Sequence, residues 1–108
     1  MSLFTIKRGD RQPSFQVDLL DGTGAAIDLT GCSVRFLMRA ARAVAPKVAA
    51  SAVIVDAAFG TVRWDPEAGD TDRAGTYRAE WEVTLADGRL VTVPSDGYDT
   101  VLIVADLD

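Results

Sequence analysis

From Gly75 to Pro94 the chain reads Gly-Thr-Tyr-Arg-Ala-Glu-Trp-Glu-Val-Thr-Leu-Ala-Asp-Gly-Arg-Leu-Val-Thr-Val-Pro. Tyr77, Ala79, Trp81, Val83 and Leu85 fall at every second position, and Arg78, Glu80, Glu82 and Thr84 fall between them. A period of two buries one face of a strand and wets the other, so this is half of an antiparallel sheet. Asp87-Gly88 supplies the positive φ that a tight hairpin needs, and Leu90, Val91 and Val93 start the returning strand, which Pro94 ends.

The same period recurs on both sides. Phe4 and Ile6 alternate with Thr5 and Lys7; Phe15, Val17 and Leu19 alternate with Gln16 and Asp18, ahead of the turn Asp21-Gly22-Thr23-Gly24. Cys32, Val34, Phe36 and Met38 share a face opposite Ser33, Arg35 and Arg39, with only Leu37 breaking the polar side. Residues 40 to 50 are Ala-rich but hold Pro46, which reads as a loop with one helical turn. Ala52 to Asp56 reads as a buried strand, and Thr61 to Asp65 returns from the turn at Ala57-Ala58-Phe59-Gly60 with Val62 and Trp64 inward. After a polar loop from Pro66 to Ala74 and the hairpin, Ser95-Asp96-Gly97 turns the chain into a last strand, Thr100 to Ala105. Its run Val101-Leu102-Ile103-Val104 implies a central strand covered on both sides, or else a partner surface. The expectation is an all-β, immunoglobulin-like antiparallel β-sandwich of about seven to eight short strands, in a single domain over residues 1 to 108. The entry into the hairpin strengthens it: Gly75 stands two residues before Tyr77 and Asp72 five before, the pattern of a sandwich corner whose tyrosine hydroxyl bonds back to the backbone.

At 108 residues, 48% apolar and 25% charged, the chain has the size and balance to close one core without disulfides. Cys32 is the only cysteine, suits a reducing compartment and reads as a small core hydrophobe. Charges by position 7 and the lack of an apolar stretch behind them argue against a signal peptide, and no run is long enough to cross a bilayer. The net charge of −5 argues against nucleic acid as a partner. That charge is unevenly spread. Residues 29 to 63 carry Arg35, Arg39, Arg42, Lys47 and Arg63 against Asp56 alone, whereas beyond Trp64 three arginines face eleven carboxylates. A basic middle and an acidic C-terminal part offer copies of the chain a head-to-tail attraction; two ordinary solvated faces is the other reading.

Catalytic chemistry has little to draw on. There is no histidine, which removes the usual general base, the Ser-His and Cys-His pairs, and zinc ligation by Cys and His. Asp65, Glu67, Asp70 and Asp72 cluster in one loop, but without the offsets of a calcium-binding EF-hand, so they read as a solvated loop. Trp64 and Trp81 are assigned to the core, leaving Tyr98 and Phe59 as exposed aromatics. Arg8-Gly9-Asp10 spells the integrin-binding tripeptide, a match short enough to be chance. No catalytic, cofactor-binding or metal-binding residue is assigned.

Several short pieces occur in a fixed order: Ile6-Lys7-Arg8-Gly9-Asp10; Gly24 with Ile27-Asp28-Leu29-Thr30-Gly31 and Val34-Arg35-Phe36; Val55-Asp56 with Gly60-Thr61-Val62; and Gly75-Thr76-Tyr77-Arg78-Ala79 with Asp87-Gly88 and Pro94. The array, spanning about residues 3 to 105, resembles the immunoglobulin-like N-terminal domain of phage baseplate upper proteins and related tail and tail-fibre domains. The resemblance implies a non-enzymatic phage or prophage virion component, made in the bacterial cytoplasm, whose partners are other tail or baseplate proteins, with self-association a further option and neither nucleic acid nor membrane involved. Baseplate upper proteins are longer, so the form implied is a free-standing accessory subunit. A carbohydrate-binding or cell-surface adhesion module is the alternative, and an enzyme stands third.

Overall fold

The computed structural model describes residues 2–94 and 97–107. Nine strands follow in chain order: β1 Leu3–Lys7, β2 Phe15–Asp18, β3 Ser33–Ala40, β4 Val48–Ser51, β5 Val53–Asp56, β6 Thr61–Trp64, β7 Gly75–Thr84, β8 Leu90–Val93 and β9 Asp99–Val104. They form two sheets. The larger runs β1-β9-β7-β3-β4, with β8 also on β7, and the smaller runs β2-β6-β5. All pairings are antiparallel except β1 with β9. The all-β sandwich expected from the periodicity is therefore what the chain folds into, with one strand more than the turn spacing suggested and no helix among the described residues.

β7 organises the larger sheet. Its first half, Gly75 to Ala79, pairs with β9; its second half, Trp81 to Thr84, pairs with β8, so both lie on one flank while β3 runs along the other flank from Tyr77 to Thr84. The hairpin closes as a three-residue loop: Leu85 N–H donates to the Arg89 carbonyl at 2.8 Å, Gly88 N–H donates back to the Leu85 carbonyl at 2.9 Å, and Gly88 takes φ +90°. That is a type I turn followed by a left-handed residue, for which glycine carries no Cβ penalty.

The inward positions meet as the period of two requires. Phe4 from β1, Phe36 from β3 and Trp81 from β7 face Phe15 from β2 and Trp64 from β6, all buried. Phe4 stacks on Phe15 with centroids 4.8 Å apart, Phe36 stacks on Trp64 at 4.3 Å, and Trp81 lies 4.8 Å from Phe36 and 5.6 Å from Phe15. Aromatic contacts thus join the two sheets through the middle of the core. The tyrosine corner is present: Tyr77 is buried and its hydroxyl donates to the Arg73 carbonyl at 2.7 Å. Tyr77→Phe removes that bond and nothing else, so urea denaturation is expected to show a loss of about 1 kcal/mol; an unchanged midpoint would mean that water replaces the bond without cost.

Three local expectations need correction. Residues 41–47 hold no helical turn, and Val48 to Ser51, whose alanines favour helix, are a strand because β3 pairs with them from Arg35 to Met38. The strand expected to be buried at 52 to 56 is the edge of the smaller sheet, with Val53 and Val55 exposed. β9 is central within its sheet, yet no layer covers its outer side, where Leu102 is half-buried and Val104 exposed. The turn expected at Ser95-Asp96-Gly97 lies for the most part outside the described residues.

Candidate functional site

The outer face of the larger sheet carries the most distinctive grouping of side chains. On β3 the outward positions are Arg35, Leu37 and Arg39, and the register places them opposite Glu82, Glu80 and Arg78 of β7. The first couple is an ion pair, Arg35 to Glu82 at 3.4 Å. The last sets two arginines directly across from each other, like charges in an arrangement that weakens a sheet when nothing intervenes. The side chains of Arg39 and Glu80 have no hydrogen bond or ion pair among the described residues. Arg78 lies over the Tyr98 ring, its guanidinium carbon 4.6 Å from the centroid, a cation–π contact that fixes both groups. Leu37, Met38, Val44, Pro46 and Gly97 complete the walls of a groove of about 310 Å³. Val44 stands on the 41–47 loop with 93% of its surface exposed, and Arg42 on the same loop is exposed too.

Arginine and tyrosine are among the residue types on which binding energy concentrates at protein interfaces. The two cations lack anionic partners among the described residues, and there is no nucleophile with a base beside it. Sequence reasoning singled out Tyr98 but missed the groove, because Arg39 and Arg78 lie far apart in sequence and meet only through register.

The acidic loop dissolves into separate partnerships. Asp65 accepts from Arg63 Nε at 2.7 Å and from Ser14 Oγ at 2.6 Å; Glu67 pairs with Arg11 at 3.2 Å, Asp72 with Lys47 at 2.6 Å, and Asp70 accepts the Glu67 N–H at 2.9 Å. Among the described residues no three His, Cys, Asp or Glu side chains gather as a metal ligand set. The Arg63 hydrogen bond, then that of Ser14, holds Asp65 below the ordinary carboxylate range, and Lys47 does the same for Asp72. Carboxyls kept ionised are unsuited to act as general acids near neutrality. Asp21 and Asp28 are lowered as well, chiefly by the side-chain hydroxyls of Thr23 and Thr30. A folded pKa below the unfolded value of about 3.9 gives stability that is fully present above that value and is lost as pH falls through the folded one. The urea midpoint is therefore expected to stay level from pH 7 to about 5 and to drop below about pH 4. A decline already between 7 and 5 would require a carboxyl that folding raises.

Elsewhere, Trp64 and Trp81 are fully buried and offer no stacking platform. Cys32 is half-buried against the core, its thiol donating weakly to the Thr30 carbonyl at 3.8 Å. In Arg8-Gly9-Asp10 the arginine is tied to Asp106 at 2.6 Å. Phe59 is exposed in the β5–β6 turn and is no part of the groove that holds Tyr98.

No protein-family model matches the chain, and no curated protein matches it. Among solved structures it is similar to CopC from Methylosinus trichosporium OB3b, with a TM-score of 0.55 and 12% identity over 100% of this chain and 89% of that one. At that identity the likeness bears on the β-sandwich fold. It also corrects the expectation of a phage or prophage virion component: the structural likeness leads to CopC, and no finding leads to a baseplate, tail or tail-fibre protein. The carbohydrate-binding alternative gains no support either, with the exposed aromatics apart and the tryptophans buried.

Proposed function

We propose that this chain is a non-enzymatic protein-contact module, and that the groove on the outer face of its larger sheet receives an acidic partner segment bearing an apolar side chain. The observation that carries this reading is the Arg39–Arg78 couple, opposed across the strands beside Tyr98 and Val44 with no acid paired to either among the described residues. Such a couple weakens the isolated fold, and an incoming carboxylate relieves it. Tyr98, Leu37 and Val44 supply the apolar contact that makes an ionic encounter specific.

The test separates binding from stability. A short peptide with a phenylalanine between two aspartates is titrated against the protein while backbone amide shifts are followed by NMR. Shifts are expected at Leu37, Arg39, Val44 and Tyr98, weakening as salt is added; a peptide with lysines for aspartates leaves them unmoved. Arg39→Glu is expected to abolish the shifts while leaving stability unchanged or raising it by about 0.2–1 kcal/mol, since it turns a like-charge couple into an opposite one. Peptide binding that survives Arg39→Glu, or shifts that map elsewhere, would refute the assignment.

A further inference from the structure

We infer that the segment filling the groove belongs to a second copy of this chain, which presents Phe59 and the carboxylates around it. The inference rests on the groove being a binding surface and names its occupant.

Most C-terminal carboxylates are already engaged within the molecule. Asp65, Glu67, Asp72, Glu82, Asp87 and Asp106 are in ion pairs, and Asp99 is buried against Trp81. The uncompensated acid lies at another place. Residues 12 to 34 and residues 48 to 62 contain no lysine or arginine, and the fold brings them together at one end. Leu19 N–H donates to the Gly60 carbonyl at 2.8 Å, Leu29 N–H to the Ala57 carbonyl at 2.8 Å, and Thr61 Oγ1 to Asp18 at 2.7 Å. Asp18, Asp21, Asp28 and Asp56 are all exposed there, and none is in an ion pair among the described residues. From their midst Phe59 projects with 66% of its surface exposed, its N–H bound at 3.3 Å to the Asp56 carboxylate. Val53 and Val55 on the adjoining edge strand are exposed as well.

Charge and chemistry match. Among the described residues the groove holds two guanidiniums outside any ion pair, with the Glu80 carboxylate also in its wall, a third guanidinium on the neighbouring loop and apolar walls; the other surface holds one aromatic ring among four carboxylates. A cavity of about 150 Å³ already accepts a benzene ring, and this groove is about 310 Å³. The two surfaces cannot meet within one molecule. Leu29, bonded to the Phe59 turn, precedes β3, whereas Arg39 is near its far end, and the six steps of strand from Ser33 to Arg39 span roughly 20 Å. A contact between two different patches of identical chains is heterologous and grows into a ring or a filament rather than stopping at a two-fold dimer.

Sedimentation velocity at low ionic strength is expected to show mass rising with concentration, and in molar salt, where the screening length falls to about 3 Å, a monomer. Phe59→Ser and Arg39→Glu each remove one surface at an exposed position, so each alone is expected to fold normally by circular dichroism and to self-associate at least about tenfold more weakly. Mixed, they should form a one-to-one pair that grows no further, because Phe59→Ser keeps its groove and Arg39→Glu keeps its phenylalanine. A wild type that stays monomeric at all concentrations overturns the inference, as does a mixture in which no pair forms. If the wild type is monomeric but the Asp-Phe-Asp peptide still binds the groove, the contact module stands and only its occupant is wrong; if neither associates, both fall.

Discussion

Replacing Gly60 with alanine is expected to destabilise the protein by about 2–5 kcal/mol, a large share of the roughly 5–15 kcal/mol available to a domain of this size. Gly60 is buried in the turn immediately before β6, with φ +69°. A Cβ there stands 2.7 Å from the Ile27 carbonyl oxygen and 2.8 Å from that of Leu19. Both obstacles are backbone atoms of residues held by hydrogen bonds: Leu19 N–H donates to the Gly60 carbonyl at 2.8 Å and Ile27 N–H to the Leu19 carbonyl at 2.9 Å. Relief requires the junction to open, so the methyl clash adds to the left-handed penalty of about 1–2 kcal/mol. Gly69→Ala is the control, because Gly69 has φ +89° but nothing within 4 Å of a new Cβ. It is expected to show the conformational penalty alone. Urea denaturation of both variants isolates the contact term; equal losses would mean that the strands do not approach as closely as described. The same measurement bears on self-association, since this junction positions Phe59.

The hairpin and the sandwich were readable because β7 and β8 carry an uninterrupted period of two and an Asp-Gly turn, which act locally and need no partner to be recognised. The same period assigns Tyr77 and Trp81 to the core, and both are buried. β4 was missed because Ala49 and Ala50 favour helix; only pairing with Leu37 and Phe36 of β3 makes them extended. Val53, Val55 and Val104 were misjudged because an apolar run looks alike whether a second layer covers it or solvent does. The groove depends on register between two strands, which one-dimensional patterns do not encode, although Tyr98 stood out as an exposed ring. The array of short motifs failed for another reason. Ile27-Asp28-Leu29-Thr30-Gly31 and Gly75-Thr76-Tyr77 place turns and corners: Asp28 accepts the Thr30 N–H at 3.0 Å, and Tyr77 binds Arg73. These devices serve any sandwich, whatever it binds, so they report architecture and not function.

Trp81→Ala is expected to leave the protein largely unfolded at room temperature, with a loss of at least about 3–5 kcal/mol from the ring alone. The indole is fully buried between Phe36 and Phe15, on the central strand of the larger sheet. Its second role is polar: Nε1 donates to Asp99 Oδ2 at 3.0 Å, while Oδ1 of the same buried carboxylate accepts the Ser2 N–H at 2.8 Å. One side chain thus ties β7 to the start of β9, and Asp99 ties that start to the residue before β1. Trp81→Phe separates the roles, since most of the aromatic packing survives while Asp99 loses the indole donor. It is expected to destabilise by about 1–3 kcal/mol, the range for leaving a buried acceptor unsatisfied. Asp99→Asn is then the decisive partner, because it keeps an oxygen for Ser2 and removes the buried charge. In the native background it weakens a charge-assisted bond and destabilises; combined with Trp81→Phe it should be neutral or restore part of the loss. The coupling between the two substitutions, read from urea denaturation of all four proteins, is expected to exceed about 1 kcal/mol. Strict additivity would show that Asp99 is stabilised without the indole, and that Trp81 acts through packing alone.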